Sequence, residues 1–262
     1  MLVALMTAAE RPGFAVPDLR PGLRQASSQV MPGIAGIPMT DVALRERLIS
    51  CWELTPEAHS FFKPASNEEI TWIQHVIGPL PEDFEWFYRR SNGAKLVKGT
   101  IDLQPIRMPG ENDGTIYAGF GTFYDAQSAT GWEYPREVVV FGTTMTGGCF
   151  GFWNSIPATR RGTIVEIGHI RESRCMALSA TSLIRFLLSQ TAYHLLRRGV
   201  NSGALDALGL PQDLRVDRPL PKSHYEAIIR WADPGRPKSP VNPFGARLDL
   251  ARVRALLDQG AY

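Results

Sequence analysis

The residues best suited to covalent chemistry in this 262-residue chain are three cysteines and five histidines. A thiol becomes a working nucleophile when an imidazole takes its proton, so Cys149 with His169 and Cys175 with His194 are the pairs to weigh. Either would make a Cys-dependent hydrolase. Neither pair sits at a recognisable nucleophile elbow or has an orienting Asp or Asn at a telling position, and Cys149 lies inside an apolar strand pattern, "GGCFGFW". His59, His75, His169, His194 and His224 are scattered, with no HExxH or CxxC to give ligand spacing, so no metal or other cofactor is expected.

Two glycine-rich stretches, "GFGTFYDA" and "FGTTMTGGCFG", offer the exposed backbone N–H groups that a phosphate site needs. Neither ends in Lys-Ser/Thr or leads from a strand directly into a helix, and turns and bulges of a twisted sheet account for them better. Glu82, Asp83 and Glu85 could be imagined as acid and base, but a helix N-terminus with its positive dipole end explains three acids there at less cost. The basic pairs Arg160-Arg161, Arg171 with Arg174, and Arg197-Arg198 lack the interleaved aromatics of a nucleic-acid surface. With 28 basic residues against 26 acidic, the net charge of +2 creates no field that would draw nucleic acid or an anionic membrane. Residues 66–190 hold 13 acids and 11 Lys plus Arg, so the positive surplus lies in the flanks. A non-enzyme that contacts neither nucleic acid nor membrane is the expectation.

The cysteines Cys51, Cys149 and Cys175 are odd in number and far apart, which suits reduced thiols rather than a disulfide framework. The opening "MLVALMTAAERPG" is too short, and lacks the charged start, to be a secretory signal; no apolar run approaches the roughly 18 residues of a membrane span. A cytoplasmic location is expected.

The elements that would position such residues are legible in part. Residues 1–40, with "RPGFAVPDLRPG" and "MPGIAGIP", read as a flexible N-terminal arm. "TDVALRERLISCWEL" offers Thr40 or Asp41 as cap and Val42, Leu44, Leu48, Ile49 and Trp52 as apolar positions of a helix. "SNEEITWIQHVIG" has Ser66 and Glu69 spaced as a capping box, Ile70, Ile73 and Ile77 on one face, and Gly78 as its stop. "LPEDFEWFYRRSNGAKL" follows: Pro81 suits a first helical position, Phe84, Phe87 and Tyr88 share a face, and Asn92-Gly93 tolerates the left-handed backbone that ends helices. Then come short apolar runs between turn residues: "AKLVKGTIDLQPI", "GTIYAGFGTFY", "REVVVFGTT", "GGCFGFW" and "GTIVEIGHI". Short turns between successive strands predict an antiparallel sheet of about five or more strands, and "SATSLIRFLLSQTAYHLLRRG" predicts a closing helix. The fold class is α+β, flanked by Pro-rich segments: an α+β domain over 41–199, and an extension over 200–262 with a short terminal helix at "LDLARVRALLDQGAY".

Taken together, "EEITWIQHVIGPLPEDFEWFYRRSNGA" and "VVFGTTMTGGCFGFW" resemble the SUKH superfamily, which includes fungal cell-wall regulators and bacterial toxin-immunity proteins. The shared pattern is an amphipathic helix, a Leu-Pro turn, an aromatic-bearing helix reaching Asn-Gly, and later a strand pair around a glycine-rich turn. It falls here on Leu80, Pro81, Phe84, Phe87, Asn92, Gly93, Gly142 and Gly147, within about 66–190. Where family members often carry an acid after the second turn's glycine, this chain has Gly148-Cys149-Phe150. The resemblance implies a non-catalytic protein-binding domain, in bacteria an immunity protein that occludes the active site of a cognate toxin, commonly a nuclease. An inhibitor of a basic, phosphate-holding site would present acids, so the partner-binding expectation falls on the loop residues Glu111, Asp113, Asp125 and Glu133. The fungal branch implies an alternative, a regulatory or scaffold protein that assembles several protein partners.

Overall fold

The computed structural model describes residues 40–107, 138–144, 149–154, 162–167, 176–199, 202–216 and 220–236. Helix α1 spans Asp41–Leu54, and Thr40 is its cap, accepting from the Ala43 N–H at 3.4 Å. Leu44, Leu48, Cys51 and Trp52, at i, i+4, i+7 and i+8, form its buried stripe. Val42, expected among the apolar positions, is 60% exposed because Cys51 completes the stripe instead.

Helix α2, Asn67–Ile77, starts with the expected capping box: Ser66 Oγ accepts from the Glu69 N–H at 3.1 Å and Glu69 Oε2 accepts from the Ser66 N–H at 2.6 Å. Ile70, Ile73 and Ile77 are buried as their spacing requires. Helix α3, Glu82–Arg90, begins one residue later than expected. Pro81 is its cap rather than its first residue, and its carbonyl accepts from the Phe84 and Glu85 N–H groups.

Seven strands form one sheet in strict sequence order, every neighbour antiparallel: β1 (Ser60–Phe61), β2 (Ala94–Leu96), β3 (Ile101–Leu103), β4 (Val138–Thr144), β5 (Cys149–Trp153), β6 (Ile164–Ile167) and β7 (Met176–Ala180). "AKLVKGTIDLQPI" supplies two strands rather than one, while "GTIYAGFGTFY" lies outside the described residues. Strands β1 and β7 carry no period-2 signal of their own; Ser179 and Ala180, expected in the closing helix, belong to β7.

That helix, α4, spans Leu183–Arg198; Ser182 Oγ accepts from the Arg185 N–H, and Gly199 closes it with φ +64°. Helices α5 (Ser202–Leu208) and α6 (Lys222–Ala232) follow. On one sheet face Ala94, Leu96, Ile101, Leu103, Phe150 and Phe152 meet α3 and α4. Phe84 has its ring centroid 4.9 Å from Phe141 and 4.5 Å from Phe152, and Phe150 lies 4.5 Å from Phe186. Val140, Cys149, Gly151 and Val165, on the alternate positions, are buried as well. In β4 the register shifts between Val140 and Gly142, a bulge that fits Phe141 into the core. A β-carbon on Gly142 would sit 2.9 Å from the Asp102 carbonyl oxygen, so only glycine fits there.

Helix α4 is buried around most of its circumference, Ser189, Gln190 and Thr191 included, because α1, α5 and α6 cover the side away from the sheet. Beyond Gly199, the described residues 202–216 and 220–236 are therefore built into the fold. Asp233, 1% exposed, accepts from the Thr181 N–H at 2.6 Å and from its hydroxyl at 2.9 Å, just before α4 begins.

Candidate functional site

The expected partner-binding acids Glu111, Asp113, Asp125 and Glu133, and the turn residue Gly147, lie outside the described residues. The structure does describe the root of the β3–β4 connection that carries those acids. There Asn92 acts as a clamp: its Oδ1 accepts from the Ile106 N–H at 2.6 Å and its Nδ2 donates to the Ile106 carbonyl at 3.0 Å and to Glu69 Oε1 at 2.7 Å. The Asn92 N–H donates to the Lys63 carbonyl. One amide side chain thus joins the capping box of α2 to the chain leaving β3. Tyr88 adds a hydroxyl donated to the Gln104 carbonyl at 2.7 Å.

The expectation that Asn92-Gly93 ends the helix in left-handed backbone is corrected in detail. The cap is Ser91 in extended conformation, φ −154°, and the left-handed residue is Gly93, two positions on, at φ +92°. A β-carbon on Gly93 would lie 2.6 Å from the Leu103 carbonyl oxygen. The glycine is needed for that close approach as much as for its φ. Leu80 is buried and Pro81 flanks Gly162, so Leu80, Pro81, Phe84, Phe87, Asn92, Gly93 and Gly142 all serve the scaffold.

The acids at the start of α3 are partly taken up by ion pairs. Arg45 Nη2 donates to Asp83 Oδ1 at 2.6 Å and to Glu82 Oε1 at 2.8 Å, with its guanidinium 5.4 Å from the Trp86 ring centroid. Asp83 Oδ2 also receives the Ile184 N–H at 3.5 Å. Glu85 pairs with Arg89 one turn later. Asp83 is a strut between α1, α3 and α4.

Of the thiols, Cys51 and Cys149 are buried, and burial pushes the Cys51 thiol up to about 12. Cys175 and His169, one member of each thiol–imidazole pair, lie outside the described residues. His194 is held down at about 4, first by burial and then by Arg197 and Arg198. His59 is likewise held at about 4 by burial. Its Nε2 lies 3.1 Å from Thr55 Oγ1, whose own proton goes to the Cys51 carbonyl, and its Nδ1 accepts from the Val97 N–H at 3.4 Å. That network assigns a neutral ring with the proton on Nε2. Among the described residues no three His, Cys, Asp or Glu side chains are grouped to hold a metal, and no helix is long and apolar enough to cross a membrane.

Sequence reasoning missed the β2–β3 turn. Val97 and Lys98 have φ of +47° and +56°, a left-handed pair ahead of Gly99. Val97 is buried, whereas Lys98 is exposed with its N–H on the Ala58 carbonyl. Thr100 Oγ1 donates to the Val97 carbonyl at 2.8 Å and accepts from Arg198 Nη2 at 3.1 Å. Only the "KG" pair hints at this; a β-branched residue in left-handed backbone is set by tertiary contacts and cannot be read from residue types.

No curated protein matches the chain. Residues 64–189 match the SMI1 / KNR4 family (SUKH-1), a span that starts just ahead of α2 and ends inside α4. That segment, with its capped helix, its Asn92 clamp and its antiparallel meander, is similar to the SUKH superfamily.

Proposed function

We propose that this chain is a non-catalytic, cytoplasmic binding protein that neutralises a cognate bacterial toxin by covering its active site. The observation that carries the proposal is the family match over residues 64–189. The scaffold described above is consistent with it: a buried aromatic core and the Asn92 clamp hold a rigid base from which the β3–β4 connection emerges. Binding residues are characteristically borne on such connections. Glu111, Asp113, Asp125 and Glu133 are the proposed contacts, with acids meeting the basic groups of a phosphate-holding site.

The test is co-expression. A toxin encoded beside this gene is expected to arrest growth alone and to be harmless when this chain is present. Continued arrest despite abundant folded chain contradicts the proposal. Exchanging the four acids for Gln and Asn is expected to abolish protection at unchanged melting temperature.

A further inference from the structure

At the end of β3 away from the chain that leads on to β4, the β2–β3 turn and the end of α4 meet through the bond from Arg198 to Thr100. Lys98 stands on that turn, and Arg197 and Arg198 end α4, so three cations stand on two joined elements. Thr100 joins the two elements, accepting from Arg198 while holding the Val97 carbonyl. Arg197 rests with its guanidinium carbon 5.8 Å from the Tyr193 ring centroid. All three side chains are exposed, and none makes an ion pair among the described residues. Glu57, beside the Ala58 carbonyl that receives the Lys98 N–H, makes none among them either. Lys95, by contrast, faces Asp102 across β2 and β3 and is electrostatically coupled to it.

Two features separate this cluster from ordinary solvated charge. The first is the backbone: Val97 and Lys98 are both left-handed, a conformation that costs a non-glycine residue about 1 to 3 kcal/mol. Glycine at Lys98 would avoid that cost, yet a lysine is there. The second is fixation. Arg198 is hydrogen-bonded and Arg197 is stacked, so less side-chain entropy remains to be lost when an anion binds. The negative end of the α4 dipole favours both arginines in place, and two of the three charges need no acidic side chain to hold them.

We infer that Lys98, Arg197 and Arg198 form a docking surface for an acidic segment of a protein partner. Among the described residues the ring beside these cations is Tyr193, half-buried and already covered by Arg197, so the three charges match a short run of carboxylates; a nucleic acid would call for a longer basic track with free stacking rings. The inference is independent of the toxin-neutralising proposal, which rests on other residues, the acids between β3 and β4.

The probe is a fluorescein-labelled peptide of twelve alternating Glu and Asp residues, read by anisotropy at low and at physiological salt, beside a labelled single-stranded RNA of similar charge. Wild-type protein is expected to bind the peptide in preference to the RNA, and more weakly as salt rises. Lys98→Gln/Arg197→Gln/Arg198→Gln is expected to lose about tenfold, three exposed pairs being of that order. A variant with the same charge removed elsewhere, Lys63→Gln/Arg90→Gln/Arg230→Gln, is expected to bind like wild type. Lys98→Gly separates function from folding: it relieves the left-handed strain, so melting temperature is expected not to fall while peptide affinity does. Equal losses in the two triple variants, a preference for RNA, or no peptide binding at about 1 mM protein would each overturn the inference. Growth protection by the triple variant is read separately, so failure here and failure of the toxin proposal are distinct results.

Discussion

At the scale of single residues, the stretch around α3 is structural throughout, and its chemistry is that of packing and clamping. Phe87 is fully buried between Trp52 and Tyr88, with ring centroids at 6.3 Å and 5.6 Å. Phe87→Ala is therefore expected to cost about 3 to 5 kcal/mol, read as a shift in urea midpoint, with binding lost only through unfolding. A folded variant of unchanged midpoint that no longer binds would contradict that role. Asn92→Ala strands the Ile106 N–H and carbonyl and removes the bond to Glu69, while the backbone N–H still reaches the Lys63 carbonyl; roughly 2 to 3 kcal/mol is expected from two lost partners. Hydrogen exchange at Ile106 should rise in that variant before the rest of the sheet responds. The core residues of α2 and α3 were legible because both helices are half-buried and show a clear stripe. Asn92 was legible only as a residue type, since its partner Ile106 is 14 positions away. Its clamp could not be read from local spacing.

At the scale of elements, the capping box and the antiparallel order could be read directly, because both depend on neighbours in sequence. The two missed strands show the limit of pattern: β1 has two residues, and β7 runs into the capping sequence of α4. Helix α4 shows a different limit. It is packed on the sheet side and on the far side, so polar Ser189, Gln190 and Thr191 are buried and its apolar face is blurred. Its outer cover comes partly from the segment after Gly199, where Leu205, Leu208, Leu210, Ile228 and Ile229 are buried and Asp233 binds Thr181. Removing those five side chains forfeits burial worth about 10 kcal/mol, comparable with the whole stability of a domain. A chain ending at Gly199 is expected to lose cooperative unfolding, checked by thermal circular dichroism. A sharp, near-wild-type transition would show that α5 and α6 are dispensable.

At the scale of the whole molecule, two histidines give the stability a definite pH dependence. His59 and His194 both keep neutral rings down to about 4, below the ordinary value of about 6.5 for a free imidazole. Between those values the unfolded chain binds protons that the folded chain refuses, so stability rises with pH across the window and is lost as pH falls from about 6.5 to about 4. Discounting for the partial exposure of His59, the loss is roughly 2 to 4 kcal/mol. It is read as a falling urea midpoint between pH 7 and pH 4.5, and replacing both with Gln should flatten the curve. The likeness to the SUKH-1 family, too, was legible at this scale, because its marks are short and structural: Leu80-Pro81, the aromatic helix and Asn92-Gly93. They are scaffold residues, so the proposed binding surface had to be argued from charge and position.

The central claim is that the chain acts by stoichiometric binding. The most direct measurement is a titration of the neighbouring toxin's activity with purified chain. Activity is predicted to fall linearly and vanish at one chain per toxin, with a 1:1 complex on size exclusion. Undiminished toxin activity at a tenfold excess of folded chain would contradict the account.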